Sequence, residues 1–278
     1  MGLARYTRRT LAGELALVLA AVVFCLPFYL LVGAALDTTA QASKTPLVFP
    51  WPPHFGNFGQ AWSKGGQGGL GHPLEASLII TVSSVAGLVV LGSLCAYTLA
   101  RRTGRLSRAL YLAFVLGILL PGAVATVPIY VAMRQLGLVG NYLGIIVLNI
   151  GLSMPFTVFV YTSFIRALPR DYEEAARVDG ASTLLTWRRV VLPQLLPITA
   201  TIAILLGVTI WNEFFIALIY LSGSRIETLP VALYTHFGDY GSQTVLFAGV
   251  AITVAPALAF YLFAQRRLIR GIATGIKG

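Results

Sequence analysis

DYEEAARVDGASTLLTWRRVVLP, residues 171–193, is a long polar stretch that lies between two apolar runs and still reads as helix. Pro169 precedes it, and Asp171, Glu173 and Glu174 crowd the first turn, where a helix dipole favours negative charge. Ala175, Ala176 and Val178 propagate a short helix, and Gly180 supplies its stop, because glycine enters the left-handed region without steric cost. Ser182 or Thr183 can cap a second short helix through Arg189, and Pro193 closes the segment. The expected unit is helix–Gly–helix, amphipathic, held between two hydrophobic spans.

The spans follow from composition. The chain has 278 residues, 57% of them hydrophobic and 11% charged, with a mean hydropathy of +0.80. Soluble domains carry about 25% charged residues. This deficit, with repeated apolar runs of about 20 residues or more, long enough to cross a hydrocarbon core of roughly 30 Å, predicts an all-α polytopic membrane protein. Residues 1–13 form a basic start. Six spans are expected at about 14–36, 76–100, 109–133, 143–165, 195–221 and 244–264, with the polar loop at 166–193 and a tail at 271–278 after a membrane domain of 14–270. The first run is too long for a cleavable leader and no small-residue cleavage site follows it. Pro27, Pro121, Pro128, Pro155 and Pro256 fall inside spans and predict bends.

Charge sets the orientation. Arg5, Arg8 and Arg9, then Arg101, Arg102, Arg105 and Arg108, then Arg166, Arg170, Arg177, Arg188 and Arg189, then Arg266, Arg267, Arg270 and Lys277 fall on one side. Lys44, Lys64, Arg134 and Arg225 fall on the other. Sixteen of the 20 Lys and Arg are thus on the side of both termini and of the 171–193 loop, which the positive-inside rule makes cytoplasmic. The net charge of +10 is accounted for by these span ends and calls for no nucleic acid.

The long spacing then carries a resemblance. Glu174-Ala175-Ala176, three residues, Gly180, nine residues, and Val190-Val191-Leu192-Pro193 are similar to the EAA loop of ABC importer permeases, with Val190 in the place of Ile. In that family the loop is the coupling helix that docks into a cleft of a cytoplasmic ATPase. The resemblance implies ATPase-coupling roles for Glu174, Ala175, Ala176, Asp179, Gly180, Leu192 and Pro193. Pro52, Pro53, Asn57, Phe58 and Trp62 in the first outer loop resemble a run of sugar-type permeases, although aromatic residues at that level also suit a membrane interface. Trp211-Asn212-Glu213-Phe214 and the tail Gly271–Gly278, one residue shorter than its counterpart, extend the likeness. In the family that tail can reach into the ATPase dimer interface. Together they resemble the smaller permease subunit of carbohydrate importers of the maltose-transporter type. This implies the type I importer fold and a bacterial or archaeal inner-membrane location. It also implies a complex with a second homologous permease, two ATPase subunits and an external solute-binding protein, carrying a di- or oligosaccharide or a derivative such as glycerol 3-phosphate.

Chemistry within the chain is sparse. No G-x-x-x-x-G-K-[ST] phosphate loop occurs, so ATP and Mg²⁺ are expected on partner ATPase subunits and no cofactor on this chain. Cys25 and Cys95 sit in apolar runs, and His54, His72 and His236 have no ligand spacing, so no metal is expected. No catalytic cluster suggests an enzyme acting on lipids. An ion-coupled carrier would need ionisable groups in several spans, whereas Glu213 is the one acidic residue well inside a span. Glu213 reads either as a hydrogen-bonding group paired with Asn212 or as part of the substrate path or its outer gate. Asn149, Ser153 and Thr157, four residues apart on one helical face, read either as helix packing or as lining of a sugar path.

Overall fold

The structure, a computed structural model, describes residues 8–38, 48–65, 68–119 and 122–275. Arg5, Lys44, Pro121 and residues 276–278 of the tail lie outside them. Every regular element among the described residues is helical. The chain divides into two compact units, residues 1–71 with 233–254, and residues 72–232 with 255–278.

In the first unit, α1 (Arg8–Leu36) keeps Pro27 inside an unbroken helix. None of its most apolar 18-residue window is buried by protein, which leaves lipid or another subunit to cover it. Its C-terminal carbonyls are capped from a distance. Asn57, on α2 (Gly56–Lys64), donates through Nδ2 to the carbonyls of Ala35 and Asp37, both at 2.8 Å. The backbone N–H of His54 donates to Leu36 at 2.7 Å. A buried Asn meeting two orphan carbonyls at a helix end is how such an end survives away from water. Ala35, Ala61, Tyr240, Val245 and Ala248 form the small core of this unit.

The second unit holds the larger core. α3 (Gly71–Arg101) widens to a π-helical turn at Leu88–Gly92 and packs along α6 (Tyr142–Ala167). A Cβ on Gly92 would run into the Thr157 methyl group, so glycine there permits the close approach that membrane helices use in place of a hydrophobic driving force. Tyr97, Tyr161, Ile165, Leu88, Val191 and Leu195 are fully buried. Tyr161 donates its hydroxyl to Thr199 Oγ1 at 2.9 Å.

Two expected spans are broken. The stretch 109–133 falls on α4 (Arg105–Leu119) and α5 (Gly122–Gln135), bent by 113°. The stretch 195–221 falls on α9 (Leu196–Trp211) and α10 (Phe215–Tyr220), interrupted at Asn212–Phe214. Counting α4 with α5 as one span, and α9 with the bent helix before it (Thr183–Gln194) as another, gives up to six, with α1, α3, α6 and α12 (Gln243–Gly275). α12 runs past the expected 264 and takes in the first part of the tail. A short α11 (Leu229–Thr235) precedes it, and the backbone N–H of Leu229 donates to the buried Ser77 Oγ at 2.9 Å.

Candidate functional site

The polar stretch folds as a helical hairpin. α7 (Asp171–Val178) starts with the N–H groups of Glu173 and Glu174 both donating to the Arg170 carbonyl at 2.9 Å. It ends in a Schellman turn: Ala181 N–H reaches back to Ala176 O at 2.9 Å, and Gly180 N–H to Arg177 O at 3.0 Å. Gly180 has φ +83°, and no heavy atom lies within 4 Å of where its Cβ would be. Its requirement for glycine is therefore conformational, not steric.

Ser182 caps α8 (Thr183–Gln194), accepting the Leu185 N–H at 3.4 Å. α8 runs through a π turn at Trp187–Val191, past the expected end at Arg189. Pro193 does not close it: the helix runs one residue further, to Gln194. The chain instead turns by 77° into α9.

The expected coupling residues divide three ways. Ala176, Asp179 and Gly180 line a cleft of about 280 Å³ between α7 and α8, together with Leu185, Thr186 and Arg189. Glu174 and Ala175 are exposed on the outer surface, beside Tyr172 and Val178. Leu192 packs against the main core, and Pro193 is exposed at the bend.

What ties this hairpin to the membrane helices is a residue that sequence reasoning placed only in the first helical turn. Glu173 is 2% exposed. Arg101, at the end of α3, grips its Oε1 with Nη2 at 2.6 Å and Nε at 2.9 Å. Tyr97 donates to Oε2 at 3.0 Å, and Arg177 stands 3.8 Å from the same oxygen. Arg101 also donates to the Leu168 carbonyl at 3.2 Å, so one guanidinium joins α3, the end of α6 and α7. Adjacent residues on a helix point about 100° apart. If Glu174 faces outward, Glu173 faces the bundle, and a buried carboxylate there requires a cation. That geometric signal was available in the sequence.

The expected substrate-path residues are not brought together. Helix α9 ends at Trp211, so Asn212 and Glu213 are not successive positions on one helix. Asn212 is exposed and donates to its own helix, at Val208 O, 2.8 Å. Glu213 is not paired with it: its Oε2 accepts the N–H groups of Ile216 at 2.8 Å and Ala217 at 3.1 Å, capping α10. Charge is well placed there, at the positive end of a helix. Glu213 also borders a cavity of about 230 Å³, which α6 lines with Leu148 and Leu152. Asn149 and Ser153 are not among its lining residues: Asn149 is buried, Ser153 half-buried, and Thr157 is buried and donates to the Ser153 carbonyl at 2.9 Å.

Known proteins agree with this architecture. Residues 88–274 match the family described as binding-protein-dependent transport system inner membrane component. The melibiose/raffinose/stachyose import permease protein MelC of Bacillus subtilis is 35% identical over 97% of this chain and 99% of its own length. The diacetylchitobiose uptake system permease protein NgcG of Streptomyces coelicolor is 31% identical over 93% of this chain and 86% of its own. A bacterial ABC transporter involved in the import of the acidic polysaccharide alginate has a chain of the same fold, with TM-score 0.79 and 21% identity, covering 95% of this chain and 99% of that one. With two-thirds of its length matched by the family and nearly all of it aligned to a permease, this chain belongs to the binding-protein-dependent transport system inner membrane component family, as a multi-pass transport permease subunit and not an enzyme.

Proposed function

We propose that this subunit forms half of the translocation pathway of an ATP-driven importer for a di- or oligosaccharide, and that it receives its driving force through the α7–α8 hairpin. The observation that carries the coupling role is the two-sided build of α7. Its inner face is fastened to α3 through Glu173 and Arg101. Its outer face presents Tyr172, Glu174 and Val178 to solvent, with Val178 88% exposed. A helix so mounted transmits a push from a cytoplasmic ATPase to the membrane helices. Glu174, Ala175, Ala176, Asp179 and Gly180 are assigned to that contact, with Leu192 and Pro193 holding the turn back into the membrane. ATP and Mg²⁺ reside on the ATPase subunits. A second homologous permease completes the pathway and a solute-binding protein delivers the sugar. The charge count supports a cytoplasmic location for both termini and the hairpin.

The sugar class is supported by the relatives that import raffinose-type oligosaccharides and diacetylchitobiose. Along the pathway, Asn212 and Glu213 are the assigned lining residues, since one is exposed and the other borders a cavity. The test is uptake of labelled melibiose, raffinose and diacetylchitobiose into proteoliposomes holding the full complex. ATP-dependent accumulation that disappears with Glu174→Lys is the expected result. Normal uptake and normal ATPase co-purification with that variant would refute the docking role.

A further inference from the structure

The second unit carries a basic cavity that shares no lining residue with the α7–α8 cleft or the cavity beside Glu213. It measures about 400 Å³ and lies where α3, α4 and α6 end on the same side. Arg102, Arg105, Arg108 and Arg166 line it, with Thr103 and Ser107. None of the chain's acidic residues lines it. The contrast with Arg101, one residue earlier, is direct: Arg101 is consumed by Glu173, whereas Arg102, Arg105 and Arg108 enter no ion pair among the described residues. Among the described residues Arg166 enters no ion pair and stacks on Tyr111, its guanidinium carbon 4.5 Å from the ring centre. The local geometry is fixed. Ser107 donates to Leu99 O at 3.2 Å, tying the first turn of α4 to the last turn of α3. Arg105 and Arg108, three apart on α4, then share a face. That first turn contains no acidic residue to neutralise the positive helix end.

Counting charges for membrane orientation needs arginines near span ends. It does not need four of them around one hollow, unpaired. Guanidinium groups so gathered are suited to a phosphate, which takes planar two-pronged hydrogen bonds. We propose that this cavity binds the phosphate group of an anionic phospholipid at the membrane surface. The lipid source is favoured over free phosphate by what adjoins the cavity. α4 packs Tyr111 and Phe114 partly against the core but has no fully buried residue, and Leu106, Leu110, Leu116 and Leu119 are between 46% and 74% exposed along it. A ligand with an anionic head and acyl chains satisfies both the arginines and this apolar flank, and basic pockets between membrane helices at the cytoplasmic side are suited to such headgroups.

The experiment is lipid retention by the full chain, purified from nanodiscs of phosphatidylcholine with and without phosphatidylglycerol and read by native mass spectrometry. Wild type should retain phosphatidylglycerol in preference to phosphatidylcholine. Arg105→Gln/Arg108→Gln should lose affinity by roughly thirtyfold, about fivefold per arginine. The charge-matched Arg170→Gln/Arg188→Gln, outside the cavity, should keep it. Equal retention by the two double variants, or equal retention of both lipids by wild type, would overturn the proposal. Should the double variant fail to insert, Arg108→Gln alone should still show about a fivefold loss, and no loss would overturn it. Lipid-depleted protein titrated with inorganic phosphate should show no saturable thermal shift. A shift abolished by the double variant would assign the cavity to the free ion and overturn the lipid assignment.

Discussion

Two neighbouring glutamates divide the work of α7. Glu174 is open to a partner, and Glu173 is sealed against Arg101 and Tyr97. Removing one member of a buried pair strands the other charge, which costs about 3–5 kcal/mol, whereas replacing both by apolar groups of similar volume is often neutral. Glu173→Ala should therefore lower the unfolding free energy of the detergent-solubilised chain by roughly that amount. Arg101→Met/Glu173→Leu should recover most of it while still failing to couple ATP hydrolysis to uptake, if the pair is also the strut that carries motion. Denaturant unfolding together with uptake per assembled complex separates the two effects. An undiminished stability for Glu173→Ala would show that the pair is not what holds α7. Glu213 gives the opposite lesson at the same scale. A lone carboxylate in an apolar stretch reads as a functional group from the sequence. What its position conceals is that the helix stops two residues earlier, so the carboxylate serves backbone N–H groups that the break leaves open.

At the scale of elements, the α7–Gly180–α8 hairpin was legible because its signals are local: acidic first turn, glycine stop, serine cap. The break after Trp211 was not. Residues 195–221 are apolar apart from Asn212 and Glu213 and a few threonines, and that polar pair at the break reads as a candidate site rather than as a helix end. The π turns at Leu88–Gly92 and Trp187–Val191 leave no compositional trace, since they answer to packing against α6 and the core. The hairpin permits a graded test. At Gly180 a side chain meets open space, so substitution costs only the left-handed backbone. Gly180→Asn should be tolerated best. Gly180→Ala should cost about 1–2 kcal/mol, and Gly180→Val more, because a branched Cβ is worst there. ATPase stimulation by the assembled complex should fall in that order. A flat series would show that the turn's left-handed geometry is not needed for coupling.

For the whole molecule, the question is how many times the chain crosses, since two of its spans are bent pairs. The Arg101–Glu173 pair answers part of it. It joins the end of α3 to the start of α7, so both lie at one surface. Between them stand α4, α5 and α6, and α6 is a single long helix. The pair can close only if α4 and α5 together cross once, leaving the α5–α6 turn at the opposite surface. There the Gly140 N–H donates to Tyr220 O at 2.8 Å, and Tyr220 donates to Thr126 O at 2.9 Å. The end of α10 is therefore at the far surface too, while α8 begins at the near one, so α9 and α10 also amount to one crossing. This agrees with the charge count, which puts the arginines of 101–108 and of 166–189 on one side. With Cys25 and Cys95 replaced, a cysteine at Ser63 should react with an impermeant maleimide added to intact cells. A cysteine at Ser182 should react only after permeabilisation. Both positions are exposed on this chain. A re-entrant α4–α5 would remove one crossing between them and label both from the same side, and that outcome would reduce the chain to fewer than six spans.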